Sequence, residues 1–134
     1  MKLTREDRLV IANKFIKIIS DHGRRFFYYD KENRVGYLKI KDGLVYYVSE
    51  YSGNEINFSQ SLHNIARKFS HGSTLRALMI ALRKYIQGKG KLPINHLGPW
   101  NKNIVDDGDL WGYGKEEMEK VRKECRELQE VKHV

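Results

Sequence analysis

Residues 34–49 read RVGYLKIKDGLVYYVS, two runs rich in β-branched and aromatic residues joined by Asp42-Gly43. Such residues suit a half-buried pleated surface, where successive side chains point to opposite faces. A two-residue hairpin loop needs positive φ at both central positions, and Asp-Gly supplies it. The stretch therefore predicts an antiparallel hairpin with strands over Arg34–Ile40 and Leu44–Ser49.

On its N-terminal side, Phe26-Phe27-Tyr28-Tyr29 reads as a further strand, and Asp30–Asn33 as a looser turn leading out of it. Ser52-Gly53-Asn54 ends the meander, and Glu55–Phe58 suits a short fourth strand. Upstream, Thr4 followed by Asp7 is a capping-box variant opening a helix from Arg5 to about Asp21. Leu9, Ala12, Phe15, Ile16 and Ile19 recur at helical spacing, Val10 and Ile18 widen the stripe, and Gly23 suits the left-handed stop.

Downstream, Phe58, Leu62, Ile65, Ala66 and Phe69 fit one face of a short helix. A clear amphipathic helix follows from about Thr74 to Ile86, ended by Gly88. Residues 87–113 then form a long irregular stretch, whose apolar content implies an ordered loop pinned to the body. The last helix runs from Lys115 to about Glu130, and residues 131–134 read as a frayed tail. Its stripe of Met118, Val121, Cys125 and Leu128 is narrow, which suits a helix on the domain edge or a seam with a second copy of the chain. The expected fold is one α+β domain over 1–134: an N-terminal helix, a three- to four-stranded antiparallel meander, a central helix, the long loop and a C-terminal helix.

A chain of 134 residues with 40% hydrophobic content has room for one core. One cysteine excludes an internal disulfide, and the apolar runs fall far short of the ~20 residues of a membrane span. No charged-then-apolar leader opens the sequence, so a soluble, cytoplasmic protein without a membrane partner is the expectation.

Charge is distributed unevenly. Between Ile56 and Val105 there is no Asp or Glu, yet Arg67, Lys68, Arg76, Arg83, Lys84, Lys89, Lys91 and Lys102 all fall inside, matching the net charge of +8 of the whole chain. Clustered like charge attracts nucleic acid, phosphate or an acidic protein surface. Within this window His71-Gly72-Ser73-Thr74-Leu75-Arg76 would hold a phosphate or carboxylate on free N–H groups, two hydroxyls and an arginine, unless Ser73 or Thr74 simply caps the helix. Arg76 and Arg83 lie seven apart and so on nearly one side, making a stripe with Lys84. Arg24-Arg25, between the first helix and first strand, would point to opposite faces, so one of them reaches an anion or a structural partner.

Other chemistry is thinly supported. The five histidines are scattered without metal-ligand spacing, Asp106-Asp107-Gly108-Asp109 lacks the EF-hand alternation, and no metal or other cofactor is expected. Cys125 lies on an apolar helix face where an inert thiol is expected, and no nucleophile elbow is present. Six of eight tyrosines lie in the meander, either as core and cross-strand pairs or, beside Arg34, Lys39 and Lys41, as a base-stacking face. Trp100, Trp111 and Tyr113 mark the long loop as a partner contact.

Taken together, Gly23-Arg24-Arg25-Phe26-Phe27, Phe69-Ser70-His71-Gly72-Ser73-Thr74-Leu75-Arg76-Ala77-Leu78, and Leu110-Trp111-Gly112-Tyr113 before a helix resemble a pattern found in small phage-, prophage- and plasmid-encoded proteins without an assigned function. The likeness spans about residues 8–128. It implies a mobile-element context but no activity, cofactor or catalytic residue. The expected function is a non-catalytic basic protein engaging nucleic acid or a nucleic-acid-processing host complex, with Arg24, Arg25, Arg67, Lys68, His71, Ser73, Thr74, Arg76, Arg83 and Lys84 as its anion contacts. The rivals are a protein-targeted inhibitor or regulator of a host factor, and a small enzyme acting on a phosphorylated ligand at His71–Arg76.

Overall fold

The computed structural model describes residues 3–58, 65, 69, 73–97 and 114–129, with residues 73 and 74 described by backbone alone. Helix α1 spans Arg5–Asp21 and opens on a complete capping box. The Asp7 N–H donates to Thr4 Oγ1 at 3.1 Å, and the Thr4 N–H donates to Asp7 Oδ2 at 2.9 Å. Gly23, with φ of 57°, turns the chain away after the helix. Ala12, Phe15, Ile16 and Ile19 are buried as expected, whereas Val10 is 54% exposed. Val10 lies about 200° of helical rotation from Ala12, nearly opposite the buried stripe. Ile11 is buried instead.

The meander forms as two small antiparallel sheets. Strands β1 (Tyr28–Tyr29) and β2 (Arg34–Val35) make one, and β3 (Tyr37–Lys41), β4 (Leu44–Val48) and β5 (Glu55–Asn57) make the other in the order β3-β4-β5. Asp42 and Gly43, with φ of 53° and 77°, form the expected two-residue hairpin turn and place Lys41 opposite Leu44.

The strand expected over Arg34–Ile40 breaks at Gly36 because the Tyr47 ring presses against the backbone there. A Cβ at Gly36 would lie 2.6 Å from Tyr47 Cζ, and the Gly36 N–H instead donates to the Phe27 carbonyl at 2.7 Å. Phe26 and Phe27 likewise lie in a turn, not a strand, and Arg25 and Phe27 take φ of 54° and 68°.

Helix α2 spans Ser73–Ile86 and buries Leu75, Leu78, Met79, Leu82, Tyr85 and Ile86. Its end closes through Gly88 at φ 77°, with Gly88 N–H donating to Tyr85 O and Lys89 N–H to Lys84 O. This pair of bonds is the Schellman pattern. Arg8 of α1 ties the two helices, its Nε donating to the Ile86 carbonyl at 3.0 Å. The following stretch is not wholly irregular. Leu92 and Leu97 join the core, and Ile94–Leu97 form a 3-10 turn.

Helix α3 spans Lys115–Gln129. It places Met118, Val121 and Cys125 in the common core and Leu128 against it. Arg122, 7% exposed, donates through Nε to the Leu97 carbonyl at 2.8 Å, fastening α3 to the 3-10 turn. The architecture is α+β, with α1 packed against β3, α2 and α3. Of the short helix expected after Phe58, only Ile65 (helical) and Phe69 are described, both buried.

Candidate anion-binding surface

The reversal at Gly88 folds the chain back along the end of α2. Leu92 is buried and anchors the returning segment, and the 3-10 turn then brings Asn95 and His96 beside the helix. The result is an open cleft lined by Lys84, Lys91, Asn95 and His96, with Ala81, Gly90, Leu92 and Pro93 between them. Lys84, Lys89 and Lys91 are exposed. Among the described residues, none of these three lysines forms an ion pair. Lysines in the last turn also complement the negative end of the helix, which explains Lys84 but not the loop lysines.

The sheet face contrasts with this. Lys39 and Lys41 both donate to Glu55, Lys41 at 3.3 Å, and Arg34 lies 3.9 Å from Glu32. The hydrogen bond from Lys39, followed by that from Lys41, holds the Glu55 carboxyl below the ordinary carboxylate range. Tyr47 is core, Tyr28, Tyr29 and Tyr46 are half-buried, and Tyr37 and Tyr51 are exposed. Exposed rings are therefore present, but the cations expected to flank them are already paired.

The helical stripe is divided. Arg76 and Arg83 are half-buried and Lys84 exposed. Arg83 Nη1 donates to the Phe58 carbonyl, a contact inside the fold. Ser73 and Thr74 form the first turn of α2. Arg67, Lys68, His71, Trp100, Trp111, Tyr113, Asp106-Asp107-Gly108-Asp109 and residues 131–134 lie outside the described residues.

Arg24 and Arg25 sit on a turn between α1 and β1, so the strand alternation expected of them does not apply. Arg25 Nε donates to the Ser20 carbonyl at 2.9 Å, and its guanidinium carbon lies 3.7 Å from the Tyr28 ring centroid. Arg24 is exposed, 5.7 Å from the Phe26 ring centroid. An open cleft here is lined by Gly23, Arg24, Arg25, Tyr28 and Asp30.

Lys91 belongs to the acid-free charges, but no local spacing in the sequence joins it to Asn95 and His96. The available signal was Lys89-Gly90-Lys91 directly after the helix stop. Glu50 carries no sequence signal of its burial: it is 1% exposed, and its Oε1 accepts from the Tyr47 hydroxyl at 2.6 Å. Burial pushes the Cys125 thiol up, as expected of an inert group. Among the described residues, no three His, Cys, Asp or Glu side chains are grouped to hold a metal ion, and no helix is long and apolar enough to cross a membrane.

Comparison with known proteins adds context. The family model YoqU matches residues 2–134. The "SPbeta prophage-derived uncharacterized protein YoqU" of Bacillus subtilis strain 168 is 27% identical over 121 residues, covering 90% of this chain and 80% of that protein. No solved structure matches the chain.

Proposed function

This chain belongs to the YoqU family, and we propose that it is a non-catalytic mobile-element protein that binds the phosphate backbone of nucleic acid. The prophage origin of its Bacillus relative supports the mobile-element part. The observation that carries the binding part is the convergence of Lys84, Lys91 and His96 on one cleft, within a segment that contains no acidic residue. Unneutralised lysines release condensed counterions when they meet phosphates, and this favours binding at low salt. Lys39 and Lys41 supply less of this drive, since Glu55 already occupies them.

Anisotropy titrations with labelled single- and double-stranded DNA and RNA, at about 50 and 200 mM salt, test the reading. Binding that weakens steeply with salt is expected. K84Q/K91Q should weaken it and lower the magnitude of the salt slope by roughly 1.5, about 0.7–0.9 for each phosphate no longer neutralised. Absence of binding at the lower salt, or insensitivity to salt, overturns it.

A further inference from the structure

We propose that the turn over residues 23–30 is a second phosphate contact, in which Arg25 presents a preset guanidinium edge to a phosphodiester of the same nucleic acid; the source of the phosphodiester rests on the reading above. Arg25 adopts φ of 54°, a left-handed conformation that glycine takes freely and residues with a Cβ rarely do. Phe27, also left-handed, is fully buried and is accounted for by the core. Arg25 is exposed and is not accounted for that way.

Its side chain is nonetheless fixed. The bond from Nε to the Ser20 carbonyl sets the direction of the guanidinium, and stacking on Tyr28 sets its plane. Tyr28 is itself held, its hydroxyl donating to Asn33 Oδ1 at 2.8 Å. With Nε engaged, the far edge of the group carries the terminal N–H donors. That edge is the fork that matches two oxygens of a phosphate. Holding the fork beforehand removes much of the ordering entropy that a free arginine loses on binding.

Charge narrows the ligand. Arg24, Arg25 and Asp30 are the charged residues that line this cleft, leaving one net positive charge. This complements the single negative charge of a phosphodiester better than the dianion of a phosphomonoester.

The test is NMR of the arginine side-chain N–H groups in the full chain, titrated with a short single-stranded oligodeoxynucleotide, alongside anisotropy of R25K and R126K. Saturable shifts of the Arg25 guanidinium resonances are expected, with R25K weakening affinity about tenfold, the order of one charge-assisted hydrogen bond. R126K, the same change at an exposed arginine of α3 outside both clefts, should change affinity less than about threefold. If the protein binds the oligonucleotide while Arg25 stays unperturbed, or the two variants behave alike, this contact is overturned and the lysine cleft stands. If the unaltered protein binds no nucleic acid, both fail. The NMR arm reads the unaltered protein, so a loss of stability in R25K does not blur the outcome.

Discussion

The carboxamide of Asn13 pairs with both backbone groups of Leu38: Nδ2 donates to the Leu38 carbonyl at 2.9 Å, and Oδ1 accepts its N–H at 2.7 Å. Leu38 lies on β3, an outer strand of its sheet, so a side chain of α1 completes the edge as a neighbouring strand would. N13A should destabilise the protein by about 1–3 kcal/mol, because two part-buried backbone groups lose their partner. N13D should do no better, since its carboxylate still accepts from the N–H but faces the Leu38 carbonyl without a donor. Urea unfolding checks both. A cost below the error of the measurement would mean that water replaces the carboxamide.

Gly36 and Tyr47 set the break between the two sheets. Here the constraint is space, because the Tyr47 ring occupies the place of a side chain. Tyr47 is 1% exposed, and its hydroxyl is held by Glu50, so it cannot swing away cheaply. G36A should cost about 3 kcal/mol through overpacking. In a Y47F background the cost should fall in part, since the hydroxyl is removed while the ring carbons still crowd the new methyl. A double-mutant cycle by chemical denaturation reads this coupling, and strict additivity would contradict the packing argument.

These two pairs also show what the sequence could and could not reveal. The bounds of α1 were legible because their signals are local: Thr4 with Asp7 at one end and Gly23 at the other. The hairpin was legible because Asp42-Gly43 carries its own backbone preference. The break at Gly36 was not, since it comes from a side chain on the facing strand. Lys84 was visible as a helix charge, but its grouping with Lys91 and His96 depends on the Gly88 reversal and the anchoring of Leu92. Arg25 was expected to follow strand alternation because it leads into Phe26-Phe27-Tyr28-Tyr29, which has strand composition. The closely spaced positive φ values at Gly23, Arg25 and Phe27 instead make a turn.

His22, just past α1, meets two glutamates of α3: Nδ1 lies 3.2 Å from Glu117 Oε2, and Nε2 lies 2.5 Å from Glu124 Oε2. The glutamates are seven apart, so they share one side of the helix. This clasp fastens one end of α1 to α3 beside the Met118 and Val121 packing. H22A should cost about 1 kcal/mol, the upper range for partly exposed pairs. It should also raise amide exchange across Lys115–Gln129 more than in α2. E124Q should have the larger effect of the two glutamate changes, given its shorter contact. Equal exchange in both helices of H22A would show that the clasp does not help to hold α3.

Alkaline pH should unfold the protein through its buried weak acids. Burial first, and then the neighbouring Glu50, raises the Tyr47 phenol far above its ordinary value of 10.0, and burial raises the Cys125 thiol above 9.0. A group whose folded pKa is raised stabilises the fold fully below its unfolded pKa and loses that contribution as pH climbs past it. Stability should therefore be full up to about pH 8, then fall first as unfolded Cys125 ionises around pH 9 and more steeply beyond about pH 10, where unfolded Tyr47 does. Tyr51 and Tyr85 shift in the same direction through burial, so Y47F should flatten the decline above pH 10 without abolishing it. Urea midpoints measured from pH 8 to 11, at salt high enough to screen the surface pairs, read the effect for both proteins. In parallel, a thiol reagent at pH 8 should label Cys125 only as fast as the protein opens, and rapid labelling of the native chain would contradict its burial.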